Sequence, residues 1–279
     1  MRRRAYVEIT NICDLACSFC PGTRRERAFM STERFRAICG RLEGHVSELF
    51  LHVMGEPLLH PELPELLAIA WDHGFRVSIT TNGTHLGKRG QILLDSPAIR
   101  KVSVSLHSME GNGRLAMGEY LENAWAFGTK AAEKGKICAL RLWNLGGADS
   151  QNESILAFME TKLGTHPLDM PSPRPGSWRL RDRLYLDEAQ KFDWPDMEAP
   201  PQDTHFCLGL RDQVAVLVDG TVVPCCLDHE GDIPLGHLPE EDLEDILESP
   251  RARAIYDGFT KGRPAEELCR RCGFATRFG

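Results

Sequence analysis

Short apolar runs alternate with amphipathic segments through residues 5–186, and this alternation limits the possible folds more than any other feature of the chain. Apolar residues at helical spacing predict helices, and short apolar runs bounded by turn residues predict strands. Six strands are predicted, near residues 5–10, 48–53, 75–80, 101–107, 137–142 and 178–186, and five helices between them, near residues 32–44, 61–72, 86–95, 115–134 and 151–163. Such units imply parallel strands with helical crossovers. Six strands are too few for a closed eight-stranded barrel, and the pattern permits an open barrel or a doubly wound sheet equally well.

A loop directly after the first predicted strand carries three thiols within eight residues, Cys13, Cys17 and Cys20. Thiolates are soft ligands that select iron–sulfur clusters, zinc or copper(I). A cubane cluster takes four thiolates, so three leave one iron without a protein ligand, as a catalytic metal site requires. The alternatives to a catalytic cluster are a structural zinc loop or three thiols that are buried by coincidence. The loop is predicted at the C-terminal end of a strand, where α/β proteins bind ligands.

The motif Cys13-x3-Cys17-x2-Cys20, with an aromatic residue just before the last cysteine, resembles that of the radical S-adenosylmethionine (radical SAM) superfamily. The resemblance implies an open (β/α)6 partial TIM barrel that binds a 4Fe–4S cluster and S-adenosylmethionine. In that family the open iron chelates the amino and carboxylate groups of S-adenosylmethionine. One electron from the cluster then cleaves the sulfonium to give a 5′-deoxyadenosyl radical. The resemblance also assigns the three cysteines as metal ligands.

Several residues at predicted strand ends match the cofactor-binding elements of this family. The run Gly55-Glu56 resembles the Gly-Gly-Glu element that binds the ammonium of the cofactor, although Met54 replaces its first glycine. The alternative, non-functional interpretations are that Gly-Glu-Pro forms a strand-to-helix turn and that Arg141 is a solvated residue. The resemblance implies cofactor contacts for Phe19, Gly55, Glu56, Thr80, Asn82, Ser105 (at the ribose) and Arg141 (at the carboxylate).

A second group of cysteines lies in the C-terminal quarter, where Gln213 to Cys225 predicts a β-hairpin turning at Asp219-Gly220. The group resembles the twitch domain, a shortened SPASM extension with one auxiliary 4Fe–4S cluster, and a four-cysteine zinc site is the alternative. By position, the resemblance implies the metal ligands Cys207, Cys225, Cys269 and Cys272. Cys226 alternates to the opposite side of the strand and is therefore not among the predicted metal ligands. Asp228 is the candidate catalytic base, and solvated loop residue is its alternative role.

Ten cysteines in a chain without a recognisable export signal argue for metal binding rather than disulfides. Of these, we expect Cys39 and Cys138 to pack in the core. The net charge of −7 disfavours broad nucleic-acid binding, and no apolar run is long enough for a membrane span. We therefore expect a cytoplasmic protein with no membrane partner and no nucleic acid.

The predicted domains are a radical SAM partial barrel at residues 1–186, a Pro-rich linker at 187–206 and a twitch/SPASM-like domain at 207–279. The layout is similar to that of the aminocyclitol dehydrogenases of this superfamily. We expect an oxidoreductase that abstracts a hydrogen atom from a small polar molecule or a peptide, with net dehydrogenation assisted by the auxiliary cluster. Its electron donor would be flavodoxin-like or ferredoxin-like. The alternatives are a peptide or protein maturase and, from another class, a non-catalytic iron–sulfur or zinc-binding module.

Overall fold

A computed structural model describes residues 4–111, 116–202, 204 and 206–278 of the 279-residue chain. Its strands are β1 Arg4–Val7, β2 Glu48–Phe50, β3 Arg76–Thr81, β4 Ile99–Ser105, β5 Ile137–Leu145, β6 Ser177–Arg181, β7 Leu184–Gln190, β8 Gln213–Val216, β9 Thr221–Val223 and β10 Gly236–His237. Its α-helices are α1 Thr32–Leu42, α2 Leu63–Asp72, α3 Leu86–Asp95, α4 Met117–Glu133, α5 Asn152–Leu163, α6 Leu243–Glu248, α7 Pro250–Thr260 and α8 Glu267–Arg270. Short 3-10 helices span Pro57–Leu59, Leu106–Gly111, Pro167–Asp169 and Gly273–Phe278.

The described strands form one sheet in the order β10-β9-β8-β1-β2-β3-β4-β5-β7-β6. Strands β1 to β5 and β7 are mutually parallel and follow one another in chain order. A doubly wound sheet would reverse its strand order at a switch point, and this sheet does not. The six parallel strands and their crossover helices therefore confirm the expected partial barrel.

The last predicted strand of the barrel is wrong as a single strand. Residues 178–186 belong to two antiparallel strands, β6 and β7, joined by a turn at Asp182 and Arg183. Arg183 has a φ of 57°, a conformation that non-glycine residues rarely adopt. Because the turn contains neither Gly nor Pro, it lacks the strongest sequence signals that predict a turn.

Each parallel strand separates its side chains into two faces. Aliphatic residues on one face, such as Leu49, Val77 and Val104, are fully buried in the core that the helices cover. Cys39 and Cys138 lie in this core with no exposed surface, as expected. Alternation sends Thr80 and Ser105 to the opposite face, which is partly accessible. The interior face of the barrel is thus lined with polar side chains.

Helix boundaries largely follow their sequence signals. Ser31 caps α1 by accepting a hydrogen bond from the backbone N–H of Arg34. Gly164 ends α5 in a left-handed conformation, with a φ of 74°. The first residue predicted for α4, Leu115, lies outside the described residues, as do residues 1–3, 203, 205 and 279 of the predicted domains and linker.

The C-terminal hairpin extends the barrel sheet. Strand β8 pairs in parallel with β1, and β9 pairs antiparallel with β8. The hairpin turns through residues 217–220, where Gly220 has a φ of 102°. A Cβ at this glycine would lie 2.2 Å from the carbonyl oxygen of Leu238, so another side chain does not fit. In the described part of the chain, no helix is long and apolar enough to cross a membrane.

Candidate active site and auxiliary cysteine site

The cysteine loop is closed at its base by hydrogen bonds between the end of β1 and the returning chain. Thr10 Oγ1 donates to the carbonyl of Ala28 at 2.9 Å. Asn11 Nδ2 donates to the carbonyl of Glu26 at 2.8 Å, and Asn11 Oδ1 accepts from the N–H of Ala28 at 2.9 Å. The Thr-Asn pair before Cys13 therefore fixes both ends of the loop at the C-terminal edge of the sheet.

The three thiols of the loop converge at this edge. The N–H of Cys20 donates to the carbonyl of Cys17 at 3.1 Å, which turns the chain between them. Partial burial and the nearby thiols of Cys20 and Cys13 raise the pKa of Cys17 to about 12. Cys17 is influenced electrostatically by both other thiols, so the loop keeps the three thiols in one neighbourhood. Metal binding would deprotonate them.

The 3-10 helix Leu106–Gly111 supports the loop from behind. Glu110 Oε1 accepts hydrogen bonds from the N–H and the hydroxyl of Ser18, at 2.9 and 2.8 Å. A Cβ at Gly111 would lie 3.0 Å from Cys17 Sγ and 3.2 Å from its Cα. Any other residue at this position would push Cys17 away by a few tenths of an ångström, so glycine favours this close approach. Sequence analysis did not single out either Glu110 or Gly111.

Gly55 is required by the backbone of the chain itself. Its φ is +76°, and a Cβ there would lie 2.5 Å from the carbonyl oxygen of Thr10 and 2.9 Å from that of Ile12. The N–H of Glu56 donates to the carbonyl of Ile12 at 2.8 Å. The Gly-Glu turn after β2 is therefore packed against the chain that leads into Cys13.

The Glu56 carboxylate is 1% exposed and binds two neighbouring segments. Oε1 accepts from the N–H of Leu58 at 2.9 Å and from Thr81 Oγ1 at 2.7 Å, and Oε2 accepts from the N–H of Asn82 at 2.6 Å. Burial raises its pKa to about 7 against these hydrogen bonds. Because a carboxylate offers about four acceptor positions, one remains for an ammonium group.

Asn82 connects this carboxylate to the cysteine loop. Its side-chain amide donates to Asp14 Oδ1 at 2.9 Å and lies 3.8 Å from Cys13 Sγ. Asp14 Oδ2 accepts from Thr84 Oγ1 at 2.9 Å and lies 3.1 Å from His85 Nε2. Burial opposes ionisation of Asp14, but its hydrogen bonds and the nearby His85 lower its pKa overall. Sequence analysis missed Asp14, although a carboxylate inside the cysteine motif was a visible signal.

Thr80, Ser105 and Arg141 lie on neighbouring strands of the barrel interior. Ser105 on β4 pairs with Arg141 on β5, and Arg141 Nη1 donates to Thr80 Oγ1 at 3.3 Å. The Arg141 guanidinium stacks on Trp143, with its Cζ 3.4 Å from the ring centroid. The tertiary structure thus brings these three predicted site residues together.

Phe19 packs on His107 beside the cysteine loop, with ring centroids 4.8 Å apart. Burial lowers the pKa of His107 to about 4, so its ring is neutral near pH 7. The carbonyl of Phe19 accepts a hydrogen bond from Trp194 Nε1 at 3.0 Å. Trp194 in turn packs edge-on against His229, with centroids 5.2 Å apart. The predicted linker therefore connects the cysteine loop to the C-terminal region.

The four C-terminal cysteines that the resemblance assigns as ligands lie around one cavity. Cys207, Cys225, Cys269 and Cys272 line one cavity of about 40 Å³. Burial and the neighbouring thiols raise the pKa of Cys225 well above its usual range. Among the described residues, no three His, Cys, Asp or Glu side chains are grouped as ligands of a single metal ion. Four thiols around a common cavity suit a multi-atom cluster.

Asp228 lines the same cavity and is 2% exposed. Its Oδ1 accepts from the N–H of Asp232 at 2.8 Å, and its Oδ2 accepts from the N–H of Ile233 at 2.9 Å. Burial raises the pKa of this carboxyl group. Cys226 is not among the residues that line this cavity and lies near the Tyr6 side chain instead. Cys226 and Asp228, which both follow Cys225 closely in the sequence, therefore have different surroundings.

Comparison with protein-family models assigns both regions. Residues 7–158 match the radical SAM superfamily, and residues 207–273 match SPASM, an iron–sulfur cluster-binding domain. These matches confirm the predicted resemblance and the predicted cofactors, namely S-adenosylmethionine and 4Fe–4S clusters.

Proteins similar in sequence include two enzymes and a maturation protein. The Fe-coproporphyrin III synthase of Methanosarcina barkeri is 34% identical over 101 residues, which are 35% of this chain and 25% of that protein. The sporulation killing factor maturation protein SkfB of Bacillus subtilis is 23% identical over 86% of this chain and 63% of its own. This chain therefore spans less than two thirds of either relative. The S-adenosyl-L-methionine-dependent 2-deoxy-scyllo-inosamine dehydrogenase of Niallia circulans is 22% identical over 95% of this chain and 90% of its own.

Solved structures share the fold. The structure of BtrN in complex with AdoMet and 2-DOIA superimposes with a TM-score of 0.64 at 20% identity, covering 98% of this chain and 93% of that one. Streptococcus suis SuiB bound to S-adenosylmethionine gives a TM-score of 0.62 at 17% identity, covering 99% of this chain and 71% of that one. With three converging thiols at the edge of six parallel strands and four more in a C-terminal hairpin region, this chain belongs to the radical SAM superfamily and carries a SPASM iron–sulfur cluster-binding domain.

Proposed function

We propose that this protein is an oxidoreductase that cleaves S-adenosylmethionine reductively and dehydrogenates a small polar substrate, with an auxiliary 4Fe–4S cluster assisting the oxidation. The observation that carries the proposal is the pairing of two cysteine sites on one sheet. Three thiols lie at the open edge of the barrel, and four line a cavity beside β8 and β9. The dehydrogenase of Niallia circulans, which matches along nearly the whole chain, supports the same reaction class.

The residues of the chain have distinct tasks in this proposal. Cys13, Cys17 and Cys20 would hold the first cluster by three corners, and Cys207, Cys225, Cys269 and Cys272 would hold the second by four. When bound and supplied with one electron, the first cluster and S-adenosylmethionine would provide a 5′-deoxyadenosyl radical able to take a hydrogen atom from the substrate.

Glu56 offers its remaining acceptor position to the cofactor ammonium, and its protein hydrogen bonds fix the direction of that position. Asn82 lies between Glu56 and Cys13 and aligns the two groups. Asp228 holds the loop after Cys225 through backbone amides, and as a buried carboxyl group of raised pKa it would accept a proton near the auxiliary site. An electron donor of the flavodoxin or ferredoxin type would reduce the first cluster.

Anaerobic reconstitution of the full chain tests the proposal. We expect about eight iron and about eight sulfide per chain, as two 4Fe–4S clusters require, and dithionite-dependent formation of 5′-deoxyadenosine. Cys17→Ala should abolish cleavage of S-adenosylmethionine, whereas Cys269→Ala should retain some cleavage but lose the oxidised product. A preparation that binds only zinc, or that forms no 5′-deoxyadenosine, would contradict the proposal.

A second candidate function is maturation of a peptide. It is supported by the match to SkfB over 86% of this chain and by the fold shared with SuiB, which was also solved bound to its precursor peptide SuiA. Incubating the reconstituted enzyme with candidate precursor peptides and measuring their mass distinguishes the two functions. A mass loss of about two hydrogens on a peptide would favour the maturase, because it would identify the peptide as the substrate that is oxidised.

A further inference from the structure

The peptide group between Phe19 and Cys20, in the cysteine loop, is held by a hydrogen bond on each side. Its N–H donates to the carbonyl of Cys17 at 3.1 Å, and its carbonyl accepts from Trp194 Nε1 at 3.0 Å. The first bond is local to the loop, whereas the second comes from a residue 175 positions later in the chain. Because a peptide group is planar, the two bonds together fix the direction in which the backbone enters Cys20. The orientation of Cys20 therefore depends on a residue outside the loop.

The segment that carries Trp194, residues 191–195 after β7, is bound to the C-terminal region by aromatic contacts. The Phe192 ring packs on Trp194 and on Phe274, with centroids 5.5 and 5.1 Å apart. The Trp194 ring packs edge-on against His229, with centroids 5.2 Å apart. Contacts at such distances and angles are favourable between aromatic rings. The position of the indole is thus set by residues of the C-terminal region.

The same segment forms part of the wall around the four C-terminal thiols. Pro195 and Phe274 line the cavity together with those thiols. A Cβ at Gly273, directly after Cys272, would lie 2.7 Å from the carbonyl oxygen of Asp193, so the two backbones approach each other closely. A movement of the chain at Cys272 therefore meets the 191–195 segment directly.

The aromatic side chains of this contact are not part of the barrel core. Among the described residues, the clusters of buried apolar side chains and the partly buried side chains packed on them do not include Phe192, Trp194 or Phe274. Residues 196–198, which follow the segment, are exposed. The contacts of the 191–195 segment therefore lie between the two cysteine sites and contribute little to the packing of the barrel.

We propose that Trp194 is a positioning residue through which the auxiliary cysteine site stabilises the geometry of Cys20 in the first site. An occupied auxiliary site fixes the cavity wall beside Trp194, and the indole N–H is then held in place for the Phe19 carbonyl. Without the auxiliary cluster this wall is less constrained, and the hydrogen bond to the loop weakens. The first cluster is accordingly retained better when the auxiliary cluster is present.

This inference rests on the proposed function for one point, the assignment of the seven cysteines as cluster ligands. It goes beyond that function because it links the two sites through a residue that is a ligand of neither. The link predicts a measurable property of the clusters themselves, namely the rate at which the first cluster loses its iron.

Trp194→Phe in the reconstituted holoenzyme tests the link, because it keeps an aromatic ring and removes the indole N–H. Iron release to an excess of an iron chelator is followed anaerobically by absorbance. Cys269→Ala, with only the first cluster, and Cys17→Ala, with only the auxiliary cluster, identify the two phases. We expect the first cluster to lose iron about fivefold faster in Trp194→Phe, the value of one hydrogen bond between neutral groups. Trp71→Phe is the matched control: Trp71 is 51% exposed on α2, and its variant should release iron like the wild type.

The double variant separates a positioning role from a merely structural one. Cys269→Ala alone should also speed iron loss from the first cluster by about fivefold, because Trp194 loses its support. Adding Trp194→Phe to Cys269→Ala should then change the rate by less than about twofold, since both changes act through the same hydrogen bond. A folding defect in Trp194→Phe would instead multiply the effect of Cys269→Ala. Multiplied effects, or a Trp194→Phe rate within twofold of the wild type, would overturn the inference.

Phe192→Leu tests the segment at a side chain for which the structure shows no contact with the cysteine loop. It keeps an apolar side chain but removes the ring contacts with Trp194 and Phe274. We expect faster iron loss from the first cluster in this variant too, and a wild-type rate would show that the segment does not transmit the coupling.

Iron release does not require cleavage of S-adenosylmethionine, so the inference and the proposed function can fail separately. A wild type that holds both clusters but forms no 5′-deoxyadenosine would contradict the proposed function, while the rates in the four variants would still decide on the coupling. A wild type that holds only one cluster would contradict both.

Discussion

The Glu8 carboxylate accepts hydrogen bonds from both terminal nitrogens of the Arg25 guanidinium, at 2.6 and 2.7 Å. Glu8 is completely buried, near the end of β1. Its oxygens also accept from the N–H of Met54 at 3.2 Å and of Val218 at 3.0 Å. Arg25 Nε donates to the carbonyl of His229 at 2.8 Å. One buried ion pair therefore joins the cysteine loop, the end of β2 and the C-terminal hairpin.

Arg25→Ala should destabilise the protein strongly. It leaves the Glu8 carboxylate buried with its cationic partner removed, and such a change lowers the free energy of unfolding by about 3–5 kcal/mol. Urea unfolding of the reconstituted protein measures the change. Arg24→Ala is the control, because the side chain of Arg24 is 88% exposed in its pair with Glu230 and should contribute at most about 1 kcal/mol. Equal effects of the two variants would show that the buried pair is not important for stability.

Gly55→Ala should displace the cysteine loop. The new Cβ would lie within 2.5 Å of the Thr10 carbonyl oxygen, so the backbone before Cys13 must move. We expect reconstitution to yield about half the wild-type iron, as loss of one of two 4Fe–4S clusters predicts. Gly74→Ala is a matched control, since Gly74 has the same φ of +76° but no atom near the position of a Cβ. Both variants suffer the same backbone strain, and a loss of iron in both would assign the defect to strain alone.

Cys269→Ala and Cys226→Ser should separate the ligands of the auxiliary cluster from their neighbour. Cys269 lines the cavity with three other cysteines, whereas Cys226 is not among the lining residues and lies near Tyr6. We expect Cys269→Ala to lose about half the iron and sulfide, and Cys226→Ser to retain both clusters. Iron and sulfide analysis with electron paramagnetic resonance of the reduced protein measures this. Iron loss in Cys226→Ser comparable to that in Cys269→Ala would make Cys226 a ligand.

Glu56→Gln should change how stability depends on pH. Burial raises the pKa of Glu56 from its ordinary value of 4.5 to about 7, so the folded state binds the proton more tightly than the unfolded state between these values. The stabilisation by this proton is complete below pH 4.5 and is lost as the pH rises through about 7. The free energy of unfolding of the cluster-free protein should therefore fall by roughly 3 kcal/mol over this range because of Glu56.

The variant removes this contribution. Urea unfolding at a series of pH values should show a flatter profile for Glu56→Gln than for the wild type. Glu65→Gln, at an exposed position on α2, should keep the wild-type profile. If Glu56→Gln and the wild type had parallel profiles, Glu56 would not titrate in this range.

Local patterns in the sequence were sufficient to predict most helices and strands and the two groups of thiols. The period of apolar residues defines the helices and the parallel strands, because burial on one face depends mainly on residues close in sequence. The spacing of Cys13, Cys17 and Cys20 determines that a single short loop presents three thiols. The hairpin before Cys225 was likewise visible from its Asp-Gly turn. Even so, the β6–β7 turn was missed, since it contains neither Gly nor Pro and its positive φ falls on Arg183, a residue type that rarely adopts one.

Only the tertiary structure decided which distant residues meet. The pairing of β8 with β1 joins segments about 210 residues apart, as the hydrogen bond from Val218 to Glu8 shows. The contacts of Asp14 with Asn82, and of Thr80 with His52 and Arg141, likewise depend on how whole strands are aligned. Chemical type and local spacing therefore determine what this chain can bind. The order and register of its strands determine where the binding groups face one another, because those depend on packing over the whole sheet.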